Sequence, residues 1–164
     1  MRLNKKTAIK TLLTACAALL AFSAFAAADT AERAEYKAQV EPICKKNKEE
    51  SDRFLKGVRT LVKHDKLKLA ATDFSKAAAA LEKARKQLAA VPQPPSDSAK
   101  LTKWLSEIKS EVALMRQISS KFKAGNKSKG SSLAVKLQNN ARKANNLVIV
   151  FAFKYCKIDP SQYT

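Results

Sequence analysis

Residues that favour turns or carry reactive side chains are scarce in this 164-residue chain, which has three Gly, five Pro, three Cys and one His. So few Gly and Pro residues, with abundant Ala, Lys and Leu, argue against a β-sandwich. A single imidazole leaves little material for nucleophile–base pairs. Acidic residues are scarce too, since 14 Asp plus Glu stand against 32 Lys plus Arg. The formal net charge is therefore +18.

Hydrophobic residues make up 46% of the chain, which is enough to build a core and argues against disorder. The length corresponds to one domain. Together these features predict a single all-α domain.

The first 28 residues have the organisation of an export signal. A basic start precedes an apolar stretch over residues 11–25, and small residues follow, with cleavage expected after Ala26 or Ala28. Removing residues 1–28 takes away four basic groups and no acidic one, which leaves +14 on 136 residues. The sequence thus predicts an exported, strongly basic mature domain, either secreted, periplasmic or associated with the cell envelope.

Two other interpretations of this leader are open. Cys16 follows small residues as a bacterial lipoprotein cysteine does, but the apolar run continues beyond it where a polar tether is expected. An uncleaved membrane anchor is the other alternative, because the run approaches the roughly 18 residues of a membrane span. All three interpretations place the basic domain outside the cytoplasmic membrane.

The mature chain keeps two cysteines, Cys44 and Cys156. In a compartment where thiols oxidise, a disulfide between them is the natural expectation. Two buried thiols or a metal pair are the alternatives, and the absence of a Cys-x-x-Cys spacing speaks against the metal.

The hydrophobic spacing predicts four amphipathic helices. Residues 29–41 are expected to form an arm or a short helix that breaks before Pro42, because proline disfavours a helical residue before it. Helix A follows from Pro42 to about residue 64. Helix B extends to about residue 91, with Asp65 as its N-cap.

Helix C is expected to begin at Ser96 or Asp97, after a Pro-rich break, and to end at Gly125. Helix D follows with Ser131 or Ser132 as its cap, and its apolar spacing continues through residues 147–153 to Cys156. Residues 157–164 are expected to be a tail, so the bundle itself covers residues 42–156.

Matched helix lengths and short connections predict an up-down-up-down four-helix bundle. In that topology the start of helix A and the end of helix D lie at the same end. Cys44 and Cys156 would then lie close together, so the predicted bundle is closed by a disulfide between the start of helix A and the end of helix D.

Three stretches carry a resemblance. They are Pro42-Ile43-Cys44-Lys45-Lys46-Asn47, the Pro-rich break before Trp104, and Ala144-Asn145-Asn146-Leu147-Val148 leading to Phe151-Ala152-Phe153-Lys154-Tyr155-Cys156. They resemble a group of small, uncharacterised exported bacterial proteins, over the whole mature chain. The resemblance implies an exported helical domain with one cysteine pair and brings no activity with it.

No arrangement of residues in the sequence predicts a specific catalytic chemistry or a cofactor. His64 is interpreted as a cation near the end of helix A. Acidic residues such as Glu107 and Glu111 alternate with Lys at the spacing of solvated helix faces. The aromatic residues, Trp104 and Phe122 among them, follow helical spacing, which favours core packing over a ligand pocket. We therefore expect a protein that is not an enzyme.

The basic excess predicts affinity for anionic polymers or a membrane surface, without specific nucleic-acid recognition. The residues expected to carry it are Lys121, Lys123, Lys127, Lys129, Lys136, Arg142 and Lys143. A protein-interaction or holdase-like module that uses the apolar residues 147–153 is the rival hypothesis. The asparagines at 139, 140, 145 and 146 form either a buried polar network or a solvated face.

Overall fold

A computed structural model describes residues 5–159 and 161, with side chains described from Thr30 onward. This part of the chain is all-α and contains no strand. Its helices are α1 (Lys5–Leu55), α2 (Val58–Lys63), α3 (Leu67–Ala89), α4 (Ser98–Lys123) and α5 (Lys127–Leu147). Single 3₁₀ turns cover Pro95–Asp97 and Ile149–Phe151. The prediction of an all-α fold is confirmed.

The 3-4 spacing of apolar residues explains why α3 and α4 form where the sequence predicts helices. In α3, small residues such as Ala70 and Ala77 alternate with Phe74 and Leu81 on the buried face. In α4 the buried face carries Trp104, which is 1% exposed. Each helix is thereby held by an apolar stripe directed toward the core.

The helices pack in a bundle-like arrangement. Helix α4 contacts both α3 and α5, α1 packs on α3, and the short α2 also packs on α3. Phe74 of α3 and Phe122 of α4 meet with ring centroids 5.9 Å apart. The core therefore lies among α1, α3, α4 and α5, and buried residues of α1 such as Tyr36 and Val40 belong to it.

The predicted break before Pro42 is wrong, because α1 continues through this residue. Proline in a helix interior removes one hydrogen bond and costs about 3 kcal/mol, so tertiary contacts must hold the preceding turns. Tyr36 and Val40 supply them, since both are buried. Tyr36 packs against Phe151 at a ring distance of 5.8 Å. Residues 29–41, predicted to form an arm or a short helix, thus contribute to the core.

Helix A was predicted as one helix to about residue 64, but the chain breaks at Gly57 instead. Gly57 has a φ of 81°, a left-handed conformation that favours glycine. The short α2 follows. Asp65 is not the N-cap of α3, because Lys66 occupies that position. Asp65 itself has a φ of 56° in the loop.

The connection between α4 and α5 confirms the predicted role of Gly125, which has a φ of 74°. The N–H of Gly125 donates to the carbonyl of Phe122, and the N–H of Asn126 donates to the carbonyl of Lys121. This pair of bonds is a Schellman motif. The expected serine caps are wrong, because the Asn126 side chain accepts the Lys129 N–H at 3.0 Å and caps α5 earlier.

Helix α5 ends at Leu147, so the prediction that helix D continues to Cys156 is wrong. The apolar run beyond it is hydrophobic on all sides, and a straight helix would leave part of it in water. After the 3₁₀ turn, Ala152 adopts a φ of 45° and reverses the chain. Val148, Phe151 and Phe153 are all buried as a result.

The Cys44–Cys156 disulfide is present, with an S–S distance of 2.07 Å and a Cα–Cα distance of 4.9 Å. It joins the last quarter of α1 to the irregular segment after α5, rather than two helix ends. The predicted C-terminal tail is anchored at Ile158, whose backbone exchanges two hydrogen bonds with Asn145.

Candidate functional site

The cations expected to bind anions cluster around α5. Lys121 and Lys123 end α4, and Lys129 lies in the first turn of α5; all three are exposed. Lys136, Arg142 and Lys143 continue along α5 and are exposed as well. The structure therefore places six of the seven predicted cations in solvent.

Lys127 differs from the other cations in this set. It is half-buried, and its Nζ donates to Asp65 Oδ1 at 2.8 Å. The same Nζ lies 3.5 Å from the carbonyl oxygen of Lys63. Lys127 thus ties the start of α5 to the loop between α2 and α3, and its charge is compensated there.

Three of the exposed lysines form a line along α5. Lys129, Lys136 and Lys143 recur every seven residues, which is about two helical turns, so they share one face at intervals of about 10 Å. We name these three residues the lysine stripe. Their spacing presents repeated positive charge along an elongated surface.

The sequence around the lysine stripe contains no acid, a feature that the overall composition does not reveal. No Asp or Glu occurs between Glu111 and Asp159. Helix α5 therefore has no carboxylate of its own to neutralise the stripe. A scan for acid-free windows, in place of a count of lysines, would have found this surface.

Two carboxylates elsewhere in the chain, Asp97 and Glu41, are engaged in internal contacts. Asp97 is 2% exposed and pairs with Arg33 and Lys100. The hydrogen bond from Arg33 lowers the pKa of Asp97, with the Arg33 and Lys100 charges adding to it. Glu41 accepts the backbone N–H groups of Lys154 and Tyr155. These contacts of Asp97 and Glu41 help to hold the fold together.

Glu111 contradicts the interpretation of the α4 acids as a solvated face, because it is fully buried. Neither carboxylate oxygen has a hydrogen-bond partner among the described residues. Burial, with the nearby charge of Glu107, raises the pKa of Glu111 to about 8. Glu111 is therefore protonated at neutral pH.

Of the four asparagines of α5, some belong to a buried polar network and others to a solvated face, the two alternatives that the sequence leaves open. Asn140 is buried, and its Nδ2 donates to Glu107 Oε2 at 2.6 Å. Asn145 is half-buried against Ile158. Asn139 and Asn146 are exposed. The polar network thus exists, but it is limited to one pair on α4 and α5 and one link to the C-terminal segment.

The apolar run over residues 147–153 is largely internal. Val148, Phe151 and Phe153 are buried, whereas Ile149 is 62% exposed and Val150 is 52% exposed. Ile149 and Val150 therefore form a small exposed apolar patch, which is much smaller than the predicted surface of residues 147–153.

His64 is exposed beyond the end of α2. In the described part of the chain, no group of three or more His, Cys, Asp and Glu side chains could hold a metal ion. Over the same residues, no helix carries an apolar stretch long enough to cross a membrane.

Comparison of the chain with protein-family models, curated proteins and solved structures finds no match.

Proposed function

We propose that this chain is an exported, non-enzymatic protein that binds phosphate or carboxylate groups of anionic envelope polymers or lipid head groups through the lysine stripe. The observation that carries the proposal is the absence of Asp and Glu from the sequence of α5, which carries the exposed lysine stripe. Lys129, Lys136 and Lys143 face solvent there without a carboxylate on the same helix. A surface of one sign attracts polyanions and steers them in a salt-dependent way.

Export is part of this proposal. It is supported by the basic start, the apolar stretch and the small residues within 1–28, although the side chains of that segment lie outside the described residues. A disulfide at Cys44 and Cys156 suits an oxidising compartment. Export with cleavage of the signal is tested by the intact mass of the protein recovered from the source cell. We expect loss of residues 1–26 or 1–28, whereas a lipidated Cys16 or an uncleaved chain would contradict this expectation.

The arrangement of α1, α3, α4 and α5 is proposed to be up-down-up-down. Two contacts support antiparallel neighbours. Phe74, in the first half of α3, meets Phe122 at the end of α4. Asn140, in the second half of α5, reaches Glu107 in the first half of α4. Spin labels at positions 68 and 123 should give a short label-to-label distance, and labels at 68 and 100 a long one.

The binding experiment compares two triple variants of the purified protein with its disulfide intact. One removes the stripe (Lys129→Gln, Lys136→Gln, Lys143→Gln). The matched control removes three exposed lysines of α3 (Lys68→Gln, Lys83→Gln, Lys86→Gln). The probes are polyphosphate, phosphatidylcholine vesicles, and the same vesicles containing phosphatidylglycerol, so that polymer and lipid sources of the anion are distinguished.

A basic side chain near an anionic surface contributes about 1 kcal/mol, so the stripe variant should bind about 100-fold more weakly and with a shallower salt dependence. The α3 variant should bind nearly as the parent does. Equal losses in both variants would mean that net charge alone acts, and the stripe would not be a site.

Exposed Ile149 and Val150 favour a second function, a protein-interaction module. The double variant Ile149→Ser, Val150→Ser should then reduce suppression of aggregation of an unfolded client protein. Under the proposed function the same variant should leave anion binding unchanged.

A further inference from the structure

A crevice of about 230 Å³ lies where α2 faces the first turns of α5. Four helices contribute its apolar lining, namely Val58 and Val62 of α2, Phe74 of α3, Phe122 of α4, and Ala134 and Val135 of α5. Val58, Phe74, Phe122 and Ala134 are buried, whereas Val135 is 48% exposed. The α2–α5 crevice therefore has a buried apolar floor and an open rim.

The two ends of the fold differ in how the space beside α5 is filled. The 3₁₀ turn Ile149–Phe151 contacts both α1 and α5 and occupies the space at one end. At the α2 end, the described part of the chain leaves Val135 exposed. Gly130 lets the Phe122 ring approach the α5 backbone, because a Cβ at this position would lie 2.2 Å from the ring. The floor of the crevice is thus fixed by packing.

Among the described residues, the polar lining consists of Arg59 and Ser131 and includes no carboxylate. Arg59 is exposed, and its Nη2 donates to the carbonyl oxygen of Ser161 at 2.9 Å. A guanidinium has five N–H donors, so most of them remain available to an anion. Its planar geometry suits a carboxylate, which it can bind with two parallel hydrogen bonds.

We propose that the α2–α5 crevice binds one alkyl chain of an anionic amphiphile, with a carboxylate head group held by Arg59. The volume lies below the roughly 300 Å³ at which drug-sized pockets begin, so it suits a narrow chain better than a ring system or a peptide. The apolar floor takes the chain, and the positive rim takes the head group. This site is independent of the proposed function, because it uses no residue of the lysine stripe.

The test measures binding of decanoate and of uncharged decanol to the purified full chain by calorimetry, below the micelle concentration. We expect saturable one-to-one binding, with decanoate at least fivefold tighter than decanol. Arg59→Gln should reduce decanoate affinity to that of decanol and leave decanol unchanged. Arg116→Gln, at an exposed arginine of α4 outside the crevice, should change neither affinity.

Occupation of the crevice itself is tested by filling it from the rim. Val135→Trp should abolish binding of both ligands, whereas Val150→Trp, at a similarly exposed valine elsewhere, should not. If Val135→Trp fails to fold, ring-proton shifts of Phe74 and Phe122 on addition of decanoate to the parent protein decide the question. Non-saturable binding, unshifted rings, or equal losses in Arg59→Gln and Arg116→Gln would overturn the proposal, even if the lysine stripe still bound polyphosphate.

Discussion

At the scale of single residues, Glu111 lies in the buried stripe of α4, where the other buried residues have apolar side chains. Residues 101, 104, 108, 115, 118 and 122 of α4 are all buried, and 111 completes their alternation of three and four. A carboxyl group there has no hydrogen-bond partner among the described residues. The core therefore tolerates a polar group at position 111, but at a cost in stability.

The pH dependence of this cost has a definite sign. The pKa of Glu111 is raised from 4.5 to about 8 by burial. Between these values the unfolded chain releases the proton and the folded chain keeps it, so stability falls as pH rises. Below pH 4.5 Glu111 is protonated in both the folded and the unfolded chain, and above about pH 8 it is ionised in both. The contribution of Glu111 to the free energy of unfolding is therefore independent of pH outside this window.

We therefore predict that Glu111→Leu stabilises the protein by on the order of 3 kcal/mol at pH 7, since each pH unit above 4.5 adds about 1.4 kcal/mol. Urea unfolding at several pH values measures it. The difference between variant and parent should grow from pH 4.5 to 8. Glu49→Leu, at an exposed acid of α1, is the control, and a pH-independent difference for Glu111→Leu would contradict the argument.

Gly130 provides a second prediction at this scale. Replacing a helical glycine with alanine usually stabilises a helix by about 0.5–1 kcal/mol. Here the added Cβ would lie 2.2 Å from the Phe122 ring, so Gly130→Ala should destabilise by about 1–3 kcal/mol as overpacking does. Thermal unfolding measures the change. Ser132→Ala, at an exposed site of the same helix, should have little effect, and a stabilised Gly130→Ala would show that the ring moves aside.

At the scale of elements, periodicity located the helices but not all of their ends. Helices α3 and α4 were predictable because their apolar stripes and the Pro-rich break are local features. The ends of α1 and α5 depend on distant contacts, since Tyr36 packs on Phe151 and Asn145 holds Ile158. The α2–α5 crevice was not predictable either, because it combines residues from four helices.

Helix α1 provides a prediction at this scale. Pro42 is exposed and lies inside the helix, where it removes one backbone hydrogen bond. Pro42→Ala should therefore stabilise the protein by about 1–3 kcal/mol, as measured by thermal unfolding. Pro92→Ala is the matched control, because Pro92 is also exposed but lies outside a helix. A loss of stability in Pro42→Ala would mean that the bend at proline is needed for the packing of Tyr36.

At the scale of the whole molecule, the disulfide joins residues 112 positions apart in the sequence. Closing a loop of this length restricts the unfolded chain and contributes about 4–5 kcal/mol in the chain-entropy description. We predict that the double variant Cys44→Ser, Cys156→Ser lowers the free energy of unfolding by up to this amount. Urea unfolding of the oxidised parent and the variant measures it, and equal midpoints would contradict the prediction.

The same bond decides how the molecule responds to a mechanical load. A force that pulls the two termini apart passes along α1 to Cys44, crosses the bond to Cys156 and continues into the final residues. The four helices after Cys44 lie inside the covalent loop and carry none of that tension directly. Only reduction would release the loop, adding on the order of 400 Å of extensible chain at about 3.5 Å per residue. The oxidised protein therefore behaves under tension as a short tether that holds an unloaded helical body.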